Sequence, residues 1–354
     1  MTRQLSFIVP GDPGQLTGGY LYDARIVAGL RSRGWTVQVH GLPGRFPDAD
    51  DEARTALART LAALPPGHQV VVDGLAAGGL PEVALAHAGR LALVVLVHHP
   101  LADESGLDAS RRRCLLASER AVLSAARLVI GTSRFTARRL ADFGVRPARL
   151  RVVAPGTEPS ALAAADNIAP RLLCVASLTP RKGHDLLLAA LQSVKHLPWT
   201  CDCIGSLTRA PQHAAAIADA IRRAGLGDRL RLLGECPERV VREAYASADL
   251  FVLASRYEGY GMVIDEALAA GLPVLTTSGG ALAETLPPDA GVSVPPDDAA
   301  ALASALQNLL QDRDRRLRLR DGARRARLQL RSWTQAADEF AAALDSIGAA
   351  PARH

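Results

Sequence analysis

The stretch ADLFVLASRYEGYGMVIDEALAAGLPVL carries two carboxylates, Glu258 and Glu266, eight residues apart across a glycine-interrupted segment. On one continuous helix they would lie about 80° apart at 3.6 residues per turn, but the glycines break that geometry. Glu258 is expected on a loop at the mouth of a helix that begins near Met262, and Glu266 on the first turns of that helix. Gly259, Gly261 and the unpaired amides of Met262 and Val263 would lie between them, facing a phosphate. Carboxylates accept hydrogen bonds from vicinal hydroxyls, the groups that ribose and hexose rings display. Upstream, LLCVASLTPRKGHDLLLAAL sets Arg181 and Lys182 in a turn just before a helix. Two cations beside helix amides suit a diphosphate whose negative charge grows as it leaves; a solvated surface turn is the competing reading. Lysine is otherwise rare here, since Lys182 and Lys195 are the only lysines among 41 basic residues.

Two further places could take part. The run VLVHHP delivers His98 and His99 to the C-terminal edge of a strand, where either could orient a sugar hydroxyl, share a proton or serve as a structural hydrogen-bonding group. Near the start, PGDPGQLTGGY offers Gly11, Gly14, Gly18 and Gly19 ahead of a helix, and such glycines let backbone amides approach an anion closely. The spacing is neither G-x-G-x-x-G nor a Walker loop, so a dinucleotide dehydrogenase and a P-loop NTPase lose their fingerprints.

The elements that must position these residues repeat along the chain as short aliphatic runs alternating with alanine-rich helical stretches, the pattern of βα units around parallel sheets. One series of strands is expected at Leu5–Val9, Thr36–His40, Gln69–Asp73, Leu91–Val97, Leu128–Ile130 and Leu150–Val153. A second is expected at Leu172–Ala176, Thr200–Ile204, Leu230–Leu233, Leu250–Leu253, Val274–Leu275 and Val292–Val294. Helices are expected between them, for instance Tyr20–Arg33 and Arg111–Ala125. The proline-marked stretch Ala154–Pro170 reads as a linker, which puts the boundary near Thr157. At 354 residues two domains are the natural division. They are residues 1–156, completed by a C-terminal helix within 333–354, and residues 157–332.

Composition narrows the class. With 48% apolar and 22% charged residues the chain is a folded globular protein, not a disordered segment or coiled coil. Its longest aliphatic run, Leu91–Val97, is far too short to span a membrane, and the opening MTRQLSFIVPGDP offers too little for a signal peptide, so a cytoplasmic location is expected. The net charge of +5 admits anionic partners without choosing among them. Nucleic-acid binding is not expected, because the arginine-dense run Arg313–Arg331 lacks interleaved aromatics and reads as a solvated helical face. Five cysteines, Cys114, Cys174, Cys201, Cys203 and Cys236, have no zinc-like spacing and read as reduced thiols. No metal ligand set is expected, and the string Asp48-Ala49-Asp50 reads as a solvated helix start.

The segment from Glu258 to Glu266 matches the E-x7-E motif of retaining glycosyltransferases, and its setting resembles glycosyltransferase family 4. TGGY, VLVHH, TSRFTARRL, VVAPGTE, VASLTPRKGHDLLL, LLGECPE, SGGALAE and GVSVPPDD follow in the family's order. The resemblance spans most of the chain and is strongest over residues 172–298. It implies an α/β protein of GT-B fold, with two Rossmann-like, doubly wound parallel-sheet domains facing a cleft.

By the same resemblance, Arg181 and Lys182 hold the donor diphosphate, Glu266 the nucleotide ribose and Glu258 the hydroxyls of the transferred sugar. Gly259 to Val263 supply amides, Gly18 and Gly19 approach the phosphate, and His98, or else His99, lies near the sugar. Gly234–Cys236 falls where the family holds the nucleobase, and the last helix, from Trp333, crosses back onto the first domain. The implied reaction is metal-independent hexosyl transfer with retention, the departing phosphate taking the acceptor's proton on the same face while Arg181 and Lys182 stabilise the leaving charge. No cofactor is implied beyond the donor substrate, a sugar carried on UDP or GDP. The acceptor could be a glycolipid, a polysaccharide precursor or a small metabolite, and the protein a monomer or homodimer. Arg111-Arg112-Arg113 opens an amphipathic helix of the kind that docks on the anionic inner face of a membrane, with a solvated helix end as the alternative. A nucleotide-sugar-binding protein without transferase activity and a sugar epimerase of the same architecture are the rival functions.

Overall fold

A computed structural model describes residues 3–164 and 167–347. Each of the twelve expected runs is a strand within it. The first sheet contains β1 (Gln4–Pro10), β2 (Thr36–Leu42), β3 (Gln69–Asp73), β4 (Ala92–Val97), β5 (Leu128–Gly131) and β6 (Leu150–Val152), in the order β2-β1-β3-β4-β5-β6. The second contains β7 (Arg171–Val175), β8 (Thr200–Ile204), β9 (Leu230–Gly234), β10 (Leu250–Leu253), β11 (Val274–Thr277) and β12 (Gly291–Val294), in the order β12-β11-β10-β7-β8-β9. Every strand pair is parallel. Parallel sheets covered by helices bury both faces, and all six residues of β4, ALVVLV, are buried accordingly.

These strand orders fix where chemistry can sit. The winding reverses between β1 and β3 in the first sheet and between β7 and β10 in the second. At such a reversal the two outgoing loops diverge to opposite faces and leave a crevice beyond the strands' carboxyl ends, where ligands bind in open α/β sheets. The loop leaving β1 leads to Gly18 and Gly19 and β3 itself ends on Asp73, while the loops leaving β7 and β10 hold Arg181, Lys182 and Glu258.

The chain divides into two compact units, one comprising the residues up to Gly156 with the segment from Arg331 onward, the other Thr157–Leu330. In the first unit the helix Trp333–Asp345 starts from a capping box of Ser332 and Gln335. It buries Phe340 beside Phe7 of β1, ring centroids 6.4 Å apart, and its Trp333 meets Tyr22 edge-on at 5.9 Å. The helix ends at Asp345, and of the C-terminal helix expected over 333–354 the residues 348–354 lie outside the described residues.

Some local expectations change. The helix expected from Tyr20 begins at Gly18, so both glycines belong to its first turn, where amides have no acceptor within the helix. The arginine-dense run is only partly a solvated face: in the second unit Arg316 caps the Leu310 carbonyl at 2.9 Å, Arg327 reaches the Ser160 carbonyl at 2.7 Å and Arg325 pairs with Asp289 at 2.7 Å. In the helix Ala109–Ala125, Arg112 and Arg113 are exposed, while Arg111 pairs with Asp48. Asp50 caps the helix Asp51–Ala63 by accepting from the Ala53 amide at 3.0 Å. Among the described residues no helix is long and apolar enough to cross a membrane.

Candidate functional site

In the second unit the loop after β7 tightens into the single turn Pro180–Lys182, which Gly183 closes in the left-handed region at φ 67° before the helix His184–Ser193 begins. Only glycine fits, because a Cβ there would stand 2.0 Å from the Ala254 carbonyl oxygen. The turn therefore presses against the loop that leaves β10. Arg256 on that loop ties the two together. Its amide donates to the Arg181 carbonyl at 2.8 Å, its guanidinium forks onto Asp185 at 2.9 and 2.7 Å, and its Nε donates to Asp297 at 2.6 Å. A planar fork of this kind holds geometry as well as charge.

This contact brings the predicted cations and the first carboxylate together. Glu258 Oε1 accepts from Lys182 Nζ at 2.5 Å and from Ser255 Oγ at 2.6 Å, and Oε2 accepts from Arg181 Nη1 at 3.3 Å. Glu258 is only 7% exposed. Burial would push its carboxyl up, but the charges of Lys182 and Arg181 outweigh burial and pull it down to about 2. Burial in turn lowers Lys182, with Glu258 opposing. The cations expected at the diphosphate and the carboxylate expected at the sugar thus meet in one ion cluster. Adjacency of β7 and β10 in the sheet is the reason.

The stretch between the carboxylates is pinned from the other side by the loop after β11. The Glu258 amide donates to the Gly279 carbonyl at 3.3 Å and the Ala281 amide to the Glu258 carbonyl at 2.9 Å. Gly259 is buried, and Gly261, at φ 96°, caps the helix Met262–Ala269. Met262 and Val263 are its first two residues, so their amides have no acceptor inside the helix. One turn on, Glu266 is half-buried and accepts from the Tyr245 hydroxyl at 2.9 Å. Burial raises its carboxyl to about 7 against the pull of that hydrogen bond. Neighbouring Asp265, raised by burial to about 6, accepts from Tyr260 at 2.7 Å. At the end of β9 the Gly234 carbonyl is taken by the Gly205 amide at 2.9 Å.

The first unit groups Gly18, Gly19 and His98. A Cβ on Gly19 would meet the His98 ring at 3.3 Å, so the helix start lies directly over the imidazole. His98 Nε2 stands 3.0 Å from Asp23 and 3.7 Å from Asp73, and Tyr22 meets its ring edge-on at 5.3 Å. Burial would lower His98, yet the two carboxylates outweigh it and lift it to about 9. Asp73 itself is raised by burial to about 6. His99 lies 3.6 Å from Glu104 instead.

Four of these partners escaped the sequence reading. Ser255 stands three residues before Glu258 in the stretch ADLFVLASRYEGYG, and Asp23 is one helical turn beyond Gly19, spacing that puts both of these on one helix face. Asp73 ends a predicted strand, whereas nothing local marks Tyr245. Among the described residues two groups bring three metal-ligating atoms within 4.8 Å of one another, Asp23 with Asp73 and His98, and Cys174 with His184 and Cys203. Both assemble from separate strands and helices, which chain spacing does not show. In the second group the neighbouring Cys203 thiol and burial hold Cys174 well above the ordinary thiol value, and its Sγ lies 3.9 Å from His184 Nε2.

Comparison with known proteins bears on this arrangement. A family model described as glycosyltransferase family 4 matches residues 6–161, and one described as glycosyl transferases group 1 matches residues 169–312. The chain is 28% identical over 260 residues to D-inositol 3-phosphate glycosyltransferase 1 of Catenulispora acidiphila, a match that covers 67% of this chain and 61% of that protein. The chain therefore spans about three fifths of that relative's length. Among solved structures, sucrose-phosphate synthase from Thermosynechococcus elongatus superposes with a TM-score of 0.83 at 22% identity, covering 98% of this chain and 99% of that one. Anabaena HepE in complex with UDP-glucose superposes with a TM-score of 0.76 at 18% identity, covering 97% and 99%. At those identities the likeness establishes the fold, GT-B with two Rossmann-like units.

Proposed function

The chain belongs to glycosyltransferase family 4, and on that premise we propose that it transfers a hexosyl group from a UDP- or GDP-sugar to an acceptor, with retention of anomeric configuration and without a metal ion. The observation that carries the proposal is the cluster of Arg181, Lys182 and Glu258 at the winding reversal between β7 and β10. Two cations and a single carboxylate thus meet in the place where the fold binds ligands. A diphosphate offers two negatively charged groups to that pair of cations. As it takes up Arg181 and Lys182, Glu258 is released from part of its pairing and can accept from the sugar's hydroxyls.

Glu266 faces the ribose, Gly259 to Val263 offer amides to the phosphates, and in the first unit Gly18 and Gly19 serve the phosphate and His98 the sugar. In the reaction the bond between the anomeric carbon and the phosphate oxygen breaks, and the acceptor oxygen bonds to that carbon on the same face. The departing phosphate takes the acceptor's proton. Arg181 and Lys182 stabilise the charge that grows on it. The relative quoted above is named for D-inositol 3-phosphate, and this chain carries a net charge of +5, so phosphorylated polyols are the first acceptors to test.

The test is incubation with UDP-glucose or GDP-mannose and D-inositol 3-phosphate, following release of nucleoside diphosphate and the anomeric proton coupling of the product. Release that EDTA leaves unchanged, with an α-linked product from these α-linked donors, is expected. A β-linked product overturns retention, loss of release in EDTA overturns metal independence, and donor binding without any release reduces the protein to a nucleotide-sugar binder.

A further inference from the structure

Tyr245 is the only buried residue of the helix Glu238–Ser247. Its ring stacks on Phe251 of β10, centroids 5.7 Å apart and planes at 25°, so its hydroxyl has little freedom. That hydroxyl stands 2.9 Å from Glu266 Oε2 and 3.4 Å from the Val263 carbonyl, bridging the start of the helix Met262–Ala269 to its carboxylate. Burial and the Glu266 charge push the phenol further above its ordinary value, which keeps it a donor. Glu266 Oε1 has no hydrogen-bond partner among the described residues, although the side chain is half-buried.

We propose that Tyr245 is the positioning residue of the ribose subsite: its hydroxyl fixes Glu266 by Oε2, leaves Oε1 to accept from the vicinal diol, and favours the ionised carboxylate that such acceptance requires. This rests on the assignment of Glu266 to the donor's ribose. The consequence is a proton-linked ribose site. The ionisable groups that act on Glu266 are Tyr245 and Glu238 on the helix Glu238–Ser247 and Asp265 on its own helix, and Cys174 of β7 acts on Tyr245. Burial, Asp265 and Glu238 favour the protonated carboxyl, and the Tyr245 hydrogen bond opposes them. A protonated carboxyl offers the diol one acceptor fewer, so binding should weaken as pH falls through the range where Glu266 titrates.

The experiment is calorimetric titration of UDP and GDP, each beside its 2′,3′-dideoxy counterpart, into wild type, Tyr245→Phe and Glu266→Gln between pH 6 and 9. The paired nucleotides share their phosphates, so the ratio of their affinities reports the ribose alone. In wild type that ratio should rise about tenfold from pH 6 to pH 8 for a carboxyl titrating near 7. Tyr245→Phe, which keeps the ring and its stacking, should lower the ratio about tenfold at pH 7 and move its rise to higher pH. Glu266→Gln should make it independent of pH. An unchanged ratio and midpoint in Tyr245→Phe, or a pH-dependent ratio surviving in Glu266→Gln, overturns the inference. A wild-type ratio of one at every pH, or binding of neither nucleotide, instead contradicts the ribose assignment on which it rests.

Discussion

Lys182 Nζ stands 2.5 Å from Glu258 Oε1, and Arg181 holds the other oxygen of the same carboxylate at 3.3 Å. All three side chains are largely withdrawn from water, exposed by 18%, 22% and 9% for Lys182, Arg181 and Glu258. Each charge is therefore kept by the others rather than by solvent. Removing any one leaves its partners with a desolvation cost that nothing offsets.

Glu258→Ala should accordingly destabilise the second unit by about 3 to 5 kcal/mol, the usual cost of stranding a buried charge. Lys182→Ala combined with Glu258→Ala should cost less than the sum of the two single changes, because the residues touch. Urea unfolding of the four proteins reads this directly, and strict additivity would show that the pair contributes nothing as a pair. Transfer should fall by about 100-fold or more in Glu258→Ala, while affinity for the bare nucleoside diphosphate holds or rises, since a phosphate can take the place of the lost carboxylate.

His98 should remain an imidazolium at neutral pH. Asp23 and Asp73 lift it from 6.5 to about 9, and a group raised in the folded state contributes stability that is complete below its unfolded value and lost as pH rises through its folded value. The window is thus 6.5 to about 9, with unit 1 losing stability on the alkaline side. Following the imidazole ring proton of His98 by NMR should give a midpoint above 8 in wild type and a clearly lower one in Asp23→Asn. A midpoint near 6.5 in both would remove the carboxylate pair from the account.

Gly183→Ala should do more harm than an ordinary left-handed glycine replacement. Gly34, at φ 81°, has nothing within 4 Å of an added Cβ, so Gly34→Ala should cost about 1 kcal/mol in backbone strain alone. Gly183→Ala adds a clash at 2.0 Å with the Ala254 carbonyl, which neither loop can relieve without moving Arg181 and Lys182. Its melting temperature should fall further than that of Gly34→Ala, and nucleoside diphosphate binding should weaken only in Gly183→Ala. Equal behaviour of the two variants would mean that the turn is not held by its contact with the loop after β10.

The strands, their parallel pairing and the helix at Met262 were legible because each depends on local pattern: short apolar runs of two to seven residues, and a glycine where the backbone must turn left-handed. Gly261 and Gly183 announce their turns in the sequence. Glu258 shows the limit of such legibility. Its residue type and loop were readable, but its partners Arg181 and Lys182 reach it only because β7 and β10 lie side by side, a consequence of strand order that no local window contains. Tyr245 was invisible for a related reason. On its own helix it reads as one more buried aromatic, and only the packing of that helix on β10 turns its hydroxyl toward Glu266.

The most direct test of the central claim, that the turn Pro180–Lys182 and its carboxylate form a nucleoside diphosphate site, is thermal unfolding of wild type and the Arg181→Ala/Lys182→Ala double variant. Each would be measured with UDP, GDP, ADP and CMP and their common sugar adducts, with and without EDTA. A ligand that binds only the native state raises the melting temperature by mass action. One nucleotide family should raise it in wild type, with EDTA making no difference, and the rise should vanish in the double variant. A rise of equal size in both proteins, or none with any of these ligands in wild type, would contradict the assignment of the diphosphate to Arg181 and Lys182.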